Sequence, residues 1–283
     1  MSNQNKEEPR PSPAETLGVS GTLLAVVSAI LIVYFAIGAE ELSRKPIDQK
    51  VFVVGLSKTG TTSLGDALAQ LGYRRSGWDD LRSRWLFHAY NNGYINSLKQ
   101  HTEKFDAFED IPWSLAYKEL ADEYPTAKFI LSLRNDENDW LRSIQAHTRM
   151  RSWEGHASTY GCLRADDCPA EYLDKYRTHN DEVVQFFSAR NEADRLMTFY
   201  IDNPEMTPKD ANVDARWEQL LEFLDIADKR AQDQGQFPRA NSKLTLFNQD
   251  PLSIFWFVDR CLYHIENTMV GALATVTAAL GRK

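Results

Sequence analysis

Val51–Val54 (VFVV) leads straight into Gly55-Leu56-Ser57-Lys58-Thr59-Gly60-Thr61-Thr62-Ser63, and this junction constrains the fold more than any other stretch of the chain. Four successive apolar residues ahead of a glycine read as a buried strand. Gly55 and Gly60 let the backbone turn so that its N–H groups face an anion, and the helix that starts there adds partial positive charge. Leu64, Leu68 and Leu71 share one face of that helix, and Gly72 stops it. The junction is a phosphate cradle. Its Gly-x-x-x-x-Gly spacing matches a nucleotide-triphosphate loop, yet Thr61-Thr62 stand where Lys-Ser/Thr is expected, and the lysine lies inside the loop at Lys58. There it can reach a bridging oxygen next to a nucleotide's 5′-phosphate rather than a β/γ pair. The bland alternative is a glycine-bearing strand–helix turn with an incidental lysine.

Downstream, short apolar runs alternate with helix-period segments. Phe105–Phe108, Phe129–Leu133 and Leu196–Ile201 read as further strands, and Trp113–Tyr124, Glu137–Arg149 and a segment bearing Trp217, Leu220, Leu221 and Leu224 as helices. This order predicts an α/β domain, a doubly wound parallel sheet in a P-loop-like three-layer sandwich, with ligands beyond the C-terminal strand ends. Acceptor-binding loops are expected within residues 74–104 and 150–195. Seven Trp, eleven Tyr and fourteen Phe suffice for a large core, so disorder is excluded for most of the chain. A net charge of −8 argues against a nucleic-acid partner, although a few converging donors still suit a small anion.

The boundaries expected are a disordered tail at 1–16, a transmembrane helix at 17–39, a linker at 40–50 and one domain at 51–283. No charged residue lies between Glu15 and Glu40, and the apolar stretch spans roughly 35 Å as a helix, enough for a bilayer core of about 30 Å. A cleaved signal peptide is the alternative, with Ala36-Ile37-Gly38 as its cleavage site; the long, mixed-charge segment before it favours a retained single-pass anchor. Positive charge on the two flanks scarcely differs, so orientation stays open. Residues 254–280 are apolar but broken by charges, and packing on the domain is expected. Cys162 and Cys168 either pair across a small loop or remain two ordinary thiols, while Cys261 reads as buried. With His156 they lack a fourth ligand, so no metal is expected.

The loop resembles the 5′-phosphosulfate loop of sulfotransferases, in which Lys-[Ser/Thr]-Gly-Thr-Thr follows the first strand. A second segment resembles that family's 3′-phosphate motif: Ala127–Leu133 ending at Arg134, then Trp140 and Ser143. Asp110-x-Pro112, Glu119-Leu120, Tyr124-Pro125, Ala127-Lys128, Tyr176, His179-Asn180, Trp217, Phe223-Leu224, Phe237-Pro238 and Asn241 resemble the branch common in fungal and marine genomes. The resemblance covers roughly residues 50–245. One departure is that Arg134 and Ser143 are nine apart where the family usually has eight.

The resemblance implies a transferase that moves a sulfuryl group from 3′-phosphoadenosine 5′-phosphosulfate (PAPS) to a hydroxyl of a glycan, lipid or small metabolite, releasing 3′,5′-adenosine bisphosphate (PAP) without a metal. It implies a donor site of Ser57, Lys58, Thr59, Gly60, Thr61, Thr62, Ser63, Arg134 and Ser143; Arg239 and Lys243, by their loop position after Phe237-Pro238, are expected to close over the 3′-phosphate. Lys58 would stabilise the leaving oxygen. Asp110 stands where the cytosolic branch has a histidine before Leu-Pro and would be the general base, with Glu109 in reserve; its other reading is an N-cap for the Trp113 helix. His88, His147 and His179 have weaker claims. Membrane location, Golgi in a eukaryote, follows from the anchor. A P-loop ATP-dependent kinase or hydrolase, and a non-catalytic nucleotide-binding scaffold, remain as alternatives.

Overall fold

The two faces of the sheet can be read along its first strand, β1 (Val51–Val53): Val51 and Val53 enter one apolar cluster, Phe52 and the following Val54 the other. Successive strand residues point to opposite faces, so a strand that is apolar throughout must be covered on both sides. The computed structural model describes residue 47 and residues 49–78, 80–203, 214–226 and 233–239, all within the unit Pro46–Lys283.

β1 is central. It pairs in parallel with β3 (Ala107–Glu109) on one side and β4 (Lys128–Leu133) on the other, and β2 (Arg75–Ser76) and β5 (Leu196–Tyr200) complete the parallel order β2-β3-β1-β4-β5. Helices α1 (Thr61–Gln70) and α8 (Ala215–Phe223) cover the Val51–Val53 face, where Leu64, Leu68, Trp217 and Leu220 are fully buried. The opposite face packs against α2 (Asp80–Asn91), α3 (Ile95–Thr102), α4 (Tyr117–Glu123) and α7 (Pro169–Ala189). Phe52 stacks between Phe108 at 4.8 Å and Phe129 at 5.3 Å, so three neighbouring strands share one aromatic layer. The expected doubly wound three-layer sandwich is present. Two further helices, α5 (Glu137–Arg151) and α6 (Glu154–Tyr160), lie toward the strand ends and meet the loop residue Leu56 through Trp140, Ile144 and Tyr160.

Several expectations need correction. The two-residue strand β2 has too little periodicity to register in sequence, and residues 74–104 hold it and two helices rather than open loops. Likewise α6 and α7 occupy most of 150–195. Residues 111–115 form turns and α4 starts at Tyr117, so the expected Trp113 helix begins later and Asp110 is not its N-cap. Cys162 and Cys168 are disulfide-bonded. The expected tail, membrane helix at 17–39, most of the 40–50 linker and residues 254–280 lie outside the described residues. Among the described residues no helix is long and apolar enough to cross a membrane.

Candidate active site

Each half of the cradle is set by a local requirement. Gly55 lies so close to β4 that a Cβ there would overlap the Ser132 carbonyl and hydroxyl, and Gly60 turns into α1 at φ 87°, with Ile201 filling the space a side chain would take. Lys58 adopts φ 73°, a left-handed conformation that costs a non-glycine residue about 1 kcal/mol or more. The loop is tied down elsewhere. Thr59 Oγ1 donates to Leu56 O at 2.7 Å and shares a 2.7 Å hydrogen bond with Ser132 Oγ, while Trp140 Nε1 donates to Ser57 O at 3.0 Å.

Strand order brings three of the expected site residues to one end of the sheet. Asp110 ends β3, Lys58 lies in the loop after β1, and Arg134 ends β4, so the adjacent strands β3-β1-β4 present them side by side. Neighbouring strands are about 4.8 Å apart, which puts the outer two roughly 10 Å apart. Burial holds the Lys58 ammonium below the ordinary lysine range; nearby Asp110 opposes this, while Arg151 and Arg134 reinforce it. Three cations therefore converge locally in a chain of net charge −8.

Asp110 is held by three donors. Ser57 Oγ donates to its Oδ1 at 2.5 Å, Ile111 N to the same oxygen at 2.8 Å, and Thr61 Oγ1 to Oδ2 at 3.2 Å. The Arg134 guanidinium donates through Nε to Asp202 at 2.5 Å, and its backbone N donates to Tyr176 Oη at 3.3 Å. The other Asp202 oxygen accepts from Asn135 N at 2.8 Å, so the carboxylate holds Arg134 at the strand end. An open depression of about 470 Å³ lies beside Arg134, walled by Leu133, Tyr176, Asn180 and Tyr200; neither Lys58 nor Asp110 lines it.

A family model described as a sulfotransferase domain matches residues 50–246, more than half of the chain. The chain belongs to the sulfotransferase domain family. No curated protein matches it. The matched region takes in every element just described.

Within this sulfotransferase domain the sequence-based candidates fare unequally. Ser57, Lys58, Thr59, Gly60, Thr61, Thr62 and Ser63 form one loop and helix start, and Asp110 and Arg134 join them. Glu109 is 1% exposed and ion-paired with Arg75, which also pairs with Asp66 of α1. Burial raises its pKa against the pull of Arg75. A carboxylate so enclosed fastens β3 to β2 and α1 and is badly placed to meet an acceptor. Ser143 is half-buried on α5; at 100° per residue it lies about 60° from the direction of Trp140. Among the described residues Ser143 and Arg134 do not hydrogen-bond each other. Arg239 is exposed, two residues beyond Phe237, whose ring packs on Trp217 at 4.9 Å. Lys243 lies outside the described residues. Among the described residues no cluster of His, Cys, Asp and Glu could hold a metal.

His147 and Arg151 share the Trp140 side of α5, within about 20° of it, and both are felt by Lys58 or feel it. The i, i+4, i+8 spacing from Ser143 could have flagged this stripe; only the fold shows that it faces the loop. Burial, with Lys58 next, drives the His147 pKa well down, so this imidazole is neutral and a weak base. His88 lies 3.4 Å from Glu154. His179 is 2% exposed and its Nε2 donates to Val54 O at 2.8 Å, holding the carbonyl that ends β1.

His179 and His156 carry a pH prediction. Burial lowers both to about 4. The unfolded chain takes up these protons near pH 6.5 and the native state only near 4, so in that window the unfolded state binds more protons. Stability is expected to fall as pH drops from about 6.5 to 4, seen as a lower melting midpoint at pH 4.5 than at 7.5. In His179→Gln the drop should be shallower; an equal drop would clear His179 of any part in it.

Proposed function

We propose that this sulfotransferase domain takes its sulfuryl group from PAPS and passes it to a hydroxyl of a glycan, lipid or small metabolite. The observation that carries the reading is that Asp110, Lys58 and Arg134 follow the C-terminal ends of the adjacent strands β3, β1 and β4. Backbone amides of Gly60–Thr62 at the start of α1 would hold the 5′-phosphate, and Arg134, whose Nε is engaged by Asp202, would offer its terminal nitrogens to the 3′-phosphate. The loop keeps its turn because Ser132 and Ile201 leave no room for a Cβ at Gly55 or Gly60, and a glycine-bounded turn into a helix start suits an anion.

Sulfuryl transfer resembles phosphoryl transfer, with an in-line, loose transition state that leaves positioning and electrostatics to the protein. Asp110 accepts the proton of the acceptor hydroxyl as its oxygen bonds to sulfur. Lys58 meets the charge that builds on the 5′-phosphate oxygen as the old S–O bond breaks. Ser57 and Thr61 hold Asp110 in place.

Calorimetric titration with PAP in the presence of EDTA tests donor choice: metal-independent binding supports it, and binding only of magnesium-ATP would point to a kinase or hydrolase. A screen of lipid and glycan extracts with radiolabelled PAPS tests transfer; PAP binding without labelled product from any extract would favour a non-catalytic scaffold. Arg134→Ala is expected to weaken PAP binding about 10- to 100-fold, since a hydrogen bond to a charged group contributes about 1.5–3 kcal/mol. The same titration reads it.

A single-pass anchor through residues 17–39 belongs to this proposal, with a Golgi location in a eukaryote. Its charge-free length supports the anchor, and the Cys162–Cys168 disulfide supports an oxidising compartment around the domain. Release of the intact chain from membranes by alkaline carbonate would count against it.

A further inference from the structure

Beside the Ser57–Asp110 pair lies a buried hydroxyl without a well-formed hydrogen bond. Tyr160, the last residue of α6, is 2% exposed, and its Oη makes no well-formed hydrogen bond among the described residues, although the Ser57 side chain is its hydrogen-bonding neighbour and the Asp110 charge acts on it. The ring cannot swing away. It stacks on Tyr172 at 4.3 Å and 13°, and it lies 6.3 Å from Trp140, the residue that holds Ser57 O. A buried hydroxyl without a partner costs about 1–3 kcal/mol, so its placement calls for a reason.

Counting donors and acceptors supplies one. Ser57 Oγ spends its only hydrogen on Asp110 Oδ1 and keeps lone pairs to accept another. Oδ1 already receives Ser57 at 2.5 Å and Ile111 N at 2.8 Å, whereas Oδ2 receives only Thr61 at 3.2 Å. The carboxylate is thus anchored by one oxygen and lightly held by the other.

We propose that Tyr160 is a positioning residue that donates to Ser57 Oγ, completing a Tyr160–Ser57–Asp110 line that pins Oδ1 and leaves Oδ2 to take the acceptor's proton. This rests on the sulfuryl-transfer reading above. The acceptor's O–H proton passes to Oδ2, the acceptor O–S bond forms, and the S–O bond to the donor's 5′-phosphate breaks with its electron pair on the phosphate oxygen. Tyr160 neither gains nor loses a proton; burial raises its pKa, so it stays a donor at working pH.

Tyr160→Phe removes only the oxygen and keeps the stacked ring. It is expected to lower kcat about tenfold, the worth of one hydrogen bond, with donor KM and PAP affinity unchanged, and Ser57→Ala, which also removes the bond to Asp110, should lower kcat at least as far. The double variant should be no worse than the poorer single, because both act through one line. Wild-type kcat in Tyr160→Phe, or losses that multiply in the double variant, would overturn the proposal. Urea unfolding of the same four proteins gives a readout free of activity. Midpoint shifts that fail to add support the line, and shifts that add overturn it. Absence of sulfuryl transfer by the wild type would sink the parent reading alone, because the unfolding cycle still judges the contact.

Discussion

Lys58→Ala is expected to lower turnover by two to three orders of magnitude while the domain stays folded and still binds PAP. A full charge about 4 Å from the developing oxyanion, at an effective dielectric near 20, contributes about 4 kcal/mol, an upper bound near a thousandfold in rate. Burial and two neighbouring guanidiniums lower the Lys58 pKa, so its ammonium is a readier proton donor than an exposed one. Alanine is the right substitution because it keeps the same left-handed backbone cost at φ 73° that lysine bears, whereas glycine would relieve it and confuse the comparison. Single-turnover transfer from labelled PAPS, alongside PAP titration, separates chemistry from binding. Near-normal turnover would remove Lys58 from the chemistry.

Asp110→Asn should cost about a hundred- to ten-thousandfold in kcat, the usual range for losing a general base. Asparagine suits φ 68° as well as aspartate does, and its carbonyl can still accept from Ser57 Oγ and Ile111 N. The amide keeps the shape and discards the basic oxygen. PAP affinity should hold or improve, because a negative charge near Lys58 is gone. A purely structural Asp110 would leave kcat near wild type in this variant, which the same single-turnover measurement would reveal.

Much of this was legible in the chain because its chemistry is local. VFVV, the glycines and Lys58 lie within ten residues of one another, and a strand, a turn and a helix start need nothing from outside to be recognised. Arg134 is similarly visible as a cation closing an apolar run. Where sequence reasoning failed, the cause was distance along the chain. The strand β2 is two residues long and exists because β3 is beside it. Glu109 and Asp110 are neighbours in sequence and both plausible bases, yet Arg75 claims the first and Ser57 and Thr61 the second. Tyr160 carries no sequence signal at all.

The amino-acid sequence alone determined that a glycine-bounded loop with an internal lysine opens a parallel α/β domain, since backbone turning and periodicity are properties of short segments. Which groups share the cradle was settled only in three dimensions. The order β3-β1-β4 places Asp110 and Arg134 on either side of Lys58, and packing of α5 and α6 delivers Trp140, Arg151 and Tyr160 to it. Those contacts join residues up to about a hundred positions apart, and only burial of the sheet's two apolar faces brings them together.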